Sequence, residues 1–347
     1  MRTTTLLAFS LLFLLANEAS GQISKIGSPA IVNFSRTDYQ AGTQNWMIQQ
    51  DERGILYFAN NKGLLEFDGT NWQTYPLPNG TIVRSVAIAS NGRLYIGGQD
   101  EMGYLEAGTK QAYTYTSLVD LIPDTLQSFD DIWKIFIQAN SIFFCSERAI
   151  FQLSDEKLQI IRPKGQRFEN FFELDGNILV QELGQGLFRL QGQTLIPIPN
   201  SAVFSDERIS AILPHPVHQS LIFTFSKGLY LMSGERIRPW EVAINDYLRT
   251  HLAYCVIQLE NRSYAIGTAR NGLVVMDQAG NPIRQLNKNF GLQNNTVLCI
   301  KQDIQKNLWL GLDNGIDYAE INSPFSKIQA EEGIMGTGYV SIVQTKP

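Results

Sequence analysis

The chain has 347 residues, with 28 Lys+Arg against 33 Asp+Glu for a net charge of −5, and is 44% hydrophobic and 18% charged. That balance argues against a disordered chain, and it lacks the basic excess that draws a protein onto phosphate backbones, so no nucleic-acid partner is expected. Three Cys and three His, widely scattered, leave little room for a disulfide framework or a structural zinc site, and no metal or cofactor is expected.

At the N-terminus, Arg2 precedes Leu6–Ala16, an apolar stretch of 11 residues. Such a stretch is too short to cross ~30 Å of hydrocarbon as a helix. Ala19 and Gly21 then stand as small residues before Gln22, completing the layout of a secretory signal. Residues 1–21 are expected to be a cleaved signal peptide and the product to be periplasmic or secreted. No Cys stands at the cleavage point, so a lipoprotein anchor is not indicated.

From there a repeat runs through the chain. Ile55–Gly69 (ILYFANNKGLLEFDG) has the same shape as Arg93–Gly108, Ser141–Asp155, Asn177–Gly192, Ser220–Gly234, Ser263–Asp277 and Asn307–Ile321. Each is an apolar strand, a short polar turn, a small residue and a second alternating strand. The turn markers are Gly63, Gly103, Ala149, Gly186, Gly228, Gly272 and Gly315, separated by 40, 46, 37, 42, 44 and 43 residues. A strand precedes each hairpin, as in Thr81–Ala89, and a weaker one follows, as in Asn71–Leu77. Four strands in about 42 residues, with Gly at tight turns that call for positive φ, describe one blade of a β-propeller. The period-two pattern argues against a helical solenoid, and a sandwich gives no reason for the repeat. The fold class is therefore all-β: a propeller of about seven four-stranded blades over residues 22–328. Helix signals are almost absent; a short turn each is expected at Asp120–Asp124 and Val242–Arg249, both between blades. Ser323–Ile328 reads as an outer strand. Ile334–Val343 reads as the inner strand of an incomplete further repeat over residues 329–347, as in a chain cut short within a longer array.

Cys255 and Cys299 fall at matching places in two repeats and Cys145 sits in an apolar strand. All three read as small buried hydrophobes; a Cys255–Cys299 bridge has no support from spacing alone.

The unit LQNNTVLCIKQDIQKNLWLGLDNGI (Leu292–Ile316) resembles the two-component regulator propeller repeat, with its Asn-Thr-Val strand start, Asn-Leu-Trp-Leu-Gly strand and Asp-Asn-Gly turn. The opening FSRTDYQAGTQNWMIQQDERGILYFANNKGLLEFDGTNW (Phe34–Trp72) is similar to the start of the periplasmic sensor region of Bacteroidetes-type regulators. The resemblance runs from about Asn33 to Val343. It implies a propeller outside the cytoplasm that reads an extracellular cue, often a glycan fragment in characterised relatives. In that family a triple-tyrosine β-sandwich, a membrane helix and a histidine kinase or LuxR-like output follow. The expected role is thus a non-catalytic, ligand-sensing input propeller of a membrane-spanning two-component or transcriptional regulator, here without its output domains. It would meet the membrane only through missing C-terminal regions, and the full-length protein could form a homodimer. The alternative is a freestanding secreted propeller that binds a carbohydrate or protein partner.

No nucleophile motif stands in a fitting context, and no enzyme activity is expected. His215 and His218 lie in a Pro-punctuated turn without nearby metal ligands, and Asp130 and Asp131 alternate sides rather than face one substrate. Propellers usually bind where the inner strands begin. Aligning the units places Arg84, Asp131, Arg208, His251 (opening an inner strand) and Asn295 at that rim, a mixed ring suited to an oligosaccharide or acidic small molecule; strand-end capping is the plainer role for the same residues. Trp46, Trp72, Trp133, Trp240 and Trp309 are candidates to stack on sugars, although Trp309 and its counterpart Tyr57 fit blade-to-blade packing.

Overall fold

The computed structural model describes residues 27–108, 113–126, 128–217 and 220–327. The expected signal peptide, the expected further repeat and His218 lie outside the described residues. Within them, 28 strands, numbered β1–β28 in chain order, form seven antiparallel sheets of four. Blade 1 runs outward from β2 (Asn45–Gln50) through β3 (Leu56–Asn60) and β4 (Gly63–Phe67) to β5 (Trp72–Tyr75). The inner strands of blades 2–7 are β6 (Val83–Ile88), β10 (Ile132–Gln138), β14 (Phe168–Leu174), β18 (Ile209–Pro214), β22 (Ala253–Gln258) and β26 (Val297–Gln302). Each touches the inner strand of the next blade, and β26 returns to β2, so the ring is closed.

One expected element is replaced. Blade 7 comprises β26, β27 (Leu308–Leu312), β28 (Ile316–Ala319) and, outermost, β1 (Ile31–Phe34) from the other end of the chain. Ser323–Lys327 contributes only a single bridge, between Lys327 and Ser28. Pairing the first strand with the last ties the ends together, so opening the ring requires breaking a full ladder. Buried Asp317 reinforces the joint: its Oδ1 accepts from Asn33 Nδ2 and Gln293 Nε2, both at 2.7 Å, and its Oδ2 accepts from the Gln293 amide at 2.9 Å.

The apolar patterning follows from this geometry. A blade's middle strands are covered on both faces by neighbouring blades, so they read as continuous apolar runs; β3 (LYFAN) and β27 (LWLGL) are buried throughout. Seven apolar clusters form the core, one at each blade–blade interface. Short 3₁₀ turns at Val119–Leu121 and Asp124–Leu126 and a helix at Asn245–His251 lie between blades, close to where the sequence placed them. Among the described residues no helix is long and apolar enough to cross a membrane.

The turn markers divide into two kinds. Gly63, Gly186, Gly228, Gly272 and Gly315 have positive φ, whereas Gly103 and Ala149 do not. That removes the need for Gly at position 149, while a Cβ at Gly103 would still run into the Thr116 carbonyl. At Gly272 both demands coincide: φ is +72° and a Cβ would collide with the Leu286 carbonyl and approach Asn287 Cα at 2.9 Å. Gly272→Ala is expected to destabilise the protein by about 1–3 kcal/mol in urea unfolding. An unchanged midpoint would show that the backbone there relaxes freely.

Candidate ligand site on the propeller axis

Every inner strand carries a β-bulge at the same place. The register with its neighbour shifts across Asn45/Met47, Val83/Ser85, Ile132/Lys134, Phe168/Asn170, Ile209/Ala211, Ala253/Cys255 and Val297/Cys299. A bulge leaves one residue out of the ladder and re-aims its side chain. The extra residues are Trp46, Arg84, Trp133, Glu169, Ser210, Tyr254 and Leu298, and all seven line one cavity of about 410 Å³ on the axis. The volume lies in the range of small-molecule sites. This ring is the feature that strand alignment alone did not isolate. Its signal is the second residue of each inner strand, which a strict two-residue alternation would assign to the wrong face.

Of the five residues picked from sequence, Arg84 is in the ring, and Arg208, just before β18, also lines the cavity. Asp131, just before β10, faces Arg84 with Oδ1 3.1 Å from Nε. The approach is off-axis, so this contact is an ion pair rather than a directed hydrogen bond, and Arg84 Nη1 is buried without an acceptor. The guanidinium instead lies over two indoles, 4.1 Å from the Trp46 ring and 4.8 Å from that of Trp133. Asp130 points elsewhere, to Arg148 at 2.5 Å. The other two picks stand away from the cavity. His251 does not open an inner strand: it ends the Asn245–His251 helix, packs on Tyr247 at 4.4 Å, and burial lowers its pKa. Asn295 holds a loop, its Oδ1 accepting from the Lys288 amide at 2.9 Å. Among the tryptophans, Trp46 and Trp133 reach the cavity. Trp72 and Trp309 belong to the interface of blades 7 and 1, and Trp240 packs against that of blades 5 and 6.

The position after the bulge stitches blades together. Ser85 Oγ donates to the Ile132 carbonyl at 2.6 Å and Asn170 Nδ2 to that of Ile209 at 2.9 Å. Cys255 Sγ donates to Val297 O at 3.6 Å and Cys299 Sγ to Asn45 O at 3.3 Å. The matched cysteines are therefore interchangeable small donors to the next blade, and all three Cys are free thiols. In blade 3 the same position holds Lys134, whose side chain lines the cavity and whose pKa burial lowers.

The remaining cavity charges are Lys301, Glu147 and Glu169. Arg167 binds both acids, at 2.5 Å to Glu147 and 3.1 Å to Glu169. A larger groove of about 660 Å³ lies between blades 1 and 2, at the far end of the inner strands. Both of its cations are paired within it, Arg53 with Asp51 at 2.7 Å and Arg93 with Glu106 at 2.8 Å, which makes the axial cavity the better candidate for an anionic or polar ligand. Among the described residues no cluster of His, Cys, Asp or Glu has metal-binding geometry.

Residues 291–314, the turn, inner strand and next strand of blade 7, match the family described as Two component regulator propeller. No curated protein sequence matches the chain significantly. Among solved structures, extracellular domains of two proteins described as hybrid two-component systems of B. thetaiotaomicron superpose over 85% and 84% of the chain, with TM-scores of 0.66 and 0.64 at 22% and 20% identity. The match covers 40% and 42% of those chains, so the present chain spans less than half their length. Virginiamycin B lyase from Staphylococcus aureus, 12% identical, superposes with a TM-score of 0.61 over 83% of this chain and 97% of its own. At these identities the likeness establishes the propeller fold alone.

Proposed function

We propose that this chain, which belongs to the two-component regulator propeller family by the repeat at residues 291–314, works as the ligand-sensing input propeller of a membrane-spanning two-component or transcriptional regulator, outside the cytoplasm. The observation that carries the reading is the ring of seven bulged side chains converging on one cavity: a fold that needs no side chains on its axis places aromatic, cationic and hydroxyl groups there. Aromatic faces and hydrogen-bonding groups around a small concave site suit a saccharide or another polar small molecule. The B. thetaiotaomicron domains of the same fold are described as extracellular domains of hybrid two-component systems, which supports the placement.

Binding fits the cavity better than catalysis. Its cysteines are the obvious nucleophiles, and burial raises the pKa of Cys255 to about 12 and that of Cys299 well above its usual value. That is the reverse of an activated thiolate.

The test is transcriptional. Deleting the gene in its native host, growing the strain on single glycans and sequencing its RNA is expected to abolish induction of a small gene set on one of them. Induction preserved on every glycan, with a wild-type surface profile, would favour a freestanding secreted binder instead.

A further inference from the structure

We propose that the axial cavity is a carboxylate site, in which Lys134, Arg208 and Lys301 receive the anion of a small organic acid or acidic sugar. The inference rests on the sensor reading's cavity and adds the chemistry of its ligand. It begins from an imbalance of charge inside a chain whose net charge is −5. The walls carry the cations Arg84, Lys134, Arg208 and Lys301 and the carboxylates Glu147 and Glu169. Arg84 is matched by Asp131, and both glutamates are held by Arg167. None of the ion pairs among the described residues involves Lys134, Arg208 or Lys301.

What faces these three cations does not neutralise them. Lys134, from blade 3, senses Cys255, Cys299, Cys145 and the like charge of Arg208 across the axis. Burial keeps those thiols protonated, so they offer no counter-charge. Arg208 lies over Tyr254 at 5.0 Å and Phe225 at 5.8 Å and hydrogen-bonds the Tyr254 side chain, neutral partners that leave its charge uncompensated. Among the described residues, Lys301 Nζ meets only the neutral Oε1 of Gln49, at 3.4 Å. With Arg84 set against Asp131, Arg167 against both glutamates and both lysines protonated, the surroundings carry two positive charges in excess. Desolvated cations without a partner are costly, and an entering carboxylate relieves that cost while accepting charge-assisted hydrogen bonds. Burial lowers the pKa of both lysines, and a bound anion favours the return of the proton. Affinity for an acid therefore falls as pH rises through the lowered lysine range.

The experiment is calorimetric titration of the whole chain with D-galacturonate, its neutral counterpart D-galactose, and succinate. At least one acid is expected to bind tenfold or more tighter than galactose and to weaken with added salt. Succinate alone would point to a free organic acid, galacturonate alone to an acidic sugar. The double variant Lys134→Met/Arg208→Gln is expected to lose the acid about tenfold or more while melting like the parent; should it fail to fold, Lys301→Gln and the acid-versus-neutral comparison decide. Galactose binding as tightly as the acids, acid affinity unmoved by the variants, or no binding of either acid up to about 10 mM would each overturn the proposal. Because no output is measured, an acid that binds without changing transcription would defeat the sensor reading alone. A neutral inducer would defeat the carboxylate alone.

Discussion

Replacing Trp309 with alanine is expected to lower the free energy of unfolding by about 3–5 kcal/mol, the usual cost of emptying a buried indole site. Trp309 is 6% exposed and sits where the ring closes. Its rings lie 5.6 Å from Phe34 of β1, 5.8 Å and 5.6 Å from Phe58 and Phe67 of blade 1, and 4.7 Å from Tyr318 of β28. One side chain thus joins the closing strand, the last blade and the first. Urea unfolding of Trp309→Ala, Phe34→Ala and the double variant checks this. The two changes should be non-additive, because removing either loosens the same joint. A loss below about 1 kcal/mol for Trp309→Ala would mean that the closure rests on the β1–β28 ladder rather than on the aromatic cluster.

Much of the fold was legible because a propeller repeats its own evidence. Seven hairpins at nearly constant spacing, each with a largely apolar first strand, define blades and blade interfaces without tertiary information. Trp309 and Tyr57, read as packing residues, are buried in two of those interfaces. The closure was not legible: Ile31–Phe34 carries no mark distinguishing an outer strand of blade 7 from a leader to blade 1, and Ser323–Ile328 looked equally suitable. Pairing over some 280 residues is decided by where the ring ends meet, which the local pattern does not encode. The site was legible in part. Alignment to strand starts put Arg84 on a bulge position and Arg208, Asp131 and Asn295 two, two and three residues short of theirs; Arg208 still reaches the cavity, whereas Asp131 turns to Arg84 and Asn295 to the Lys288 amide. His251 was misplaced because a helical turn occupies the run into β22.

The second large effect concerns whether the mouth of the cavity is formed before any ligand arrives. Arg84 and Asp131 have side chains only 13% and 17% exposed, so removing one partner leaves the other largely desolvated and unmatched. Arg84→Met is expected to destabilise the protein by about 3 kcal/mol, the lower end of the range for breaking a buried pair because both groups keep some contact with water. Asp131→Asn should cost less, since the guanidinium keeps the faces of Trp46 and Trp133. The double variant should recover much of the loss, giving a coupling of about 1–3 kcal/mol between the two sites. Such a coupling would make Arg84 a fixed platform, holding two tryptophans in place so that a ligand meets a rigid mouth and the ordering cost of binding is small. Near-additive effects, joined to a loss of ligand affinity in Arg84→Met at unchanged stability, would instead make Arg84 a ligand contact in its own right, and would add a fourth cation to the three that await an anion.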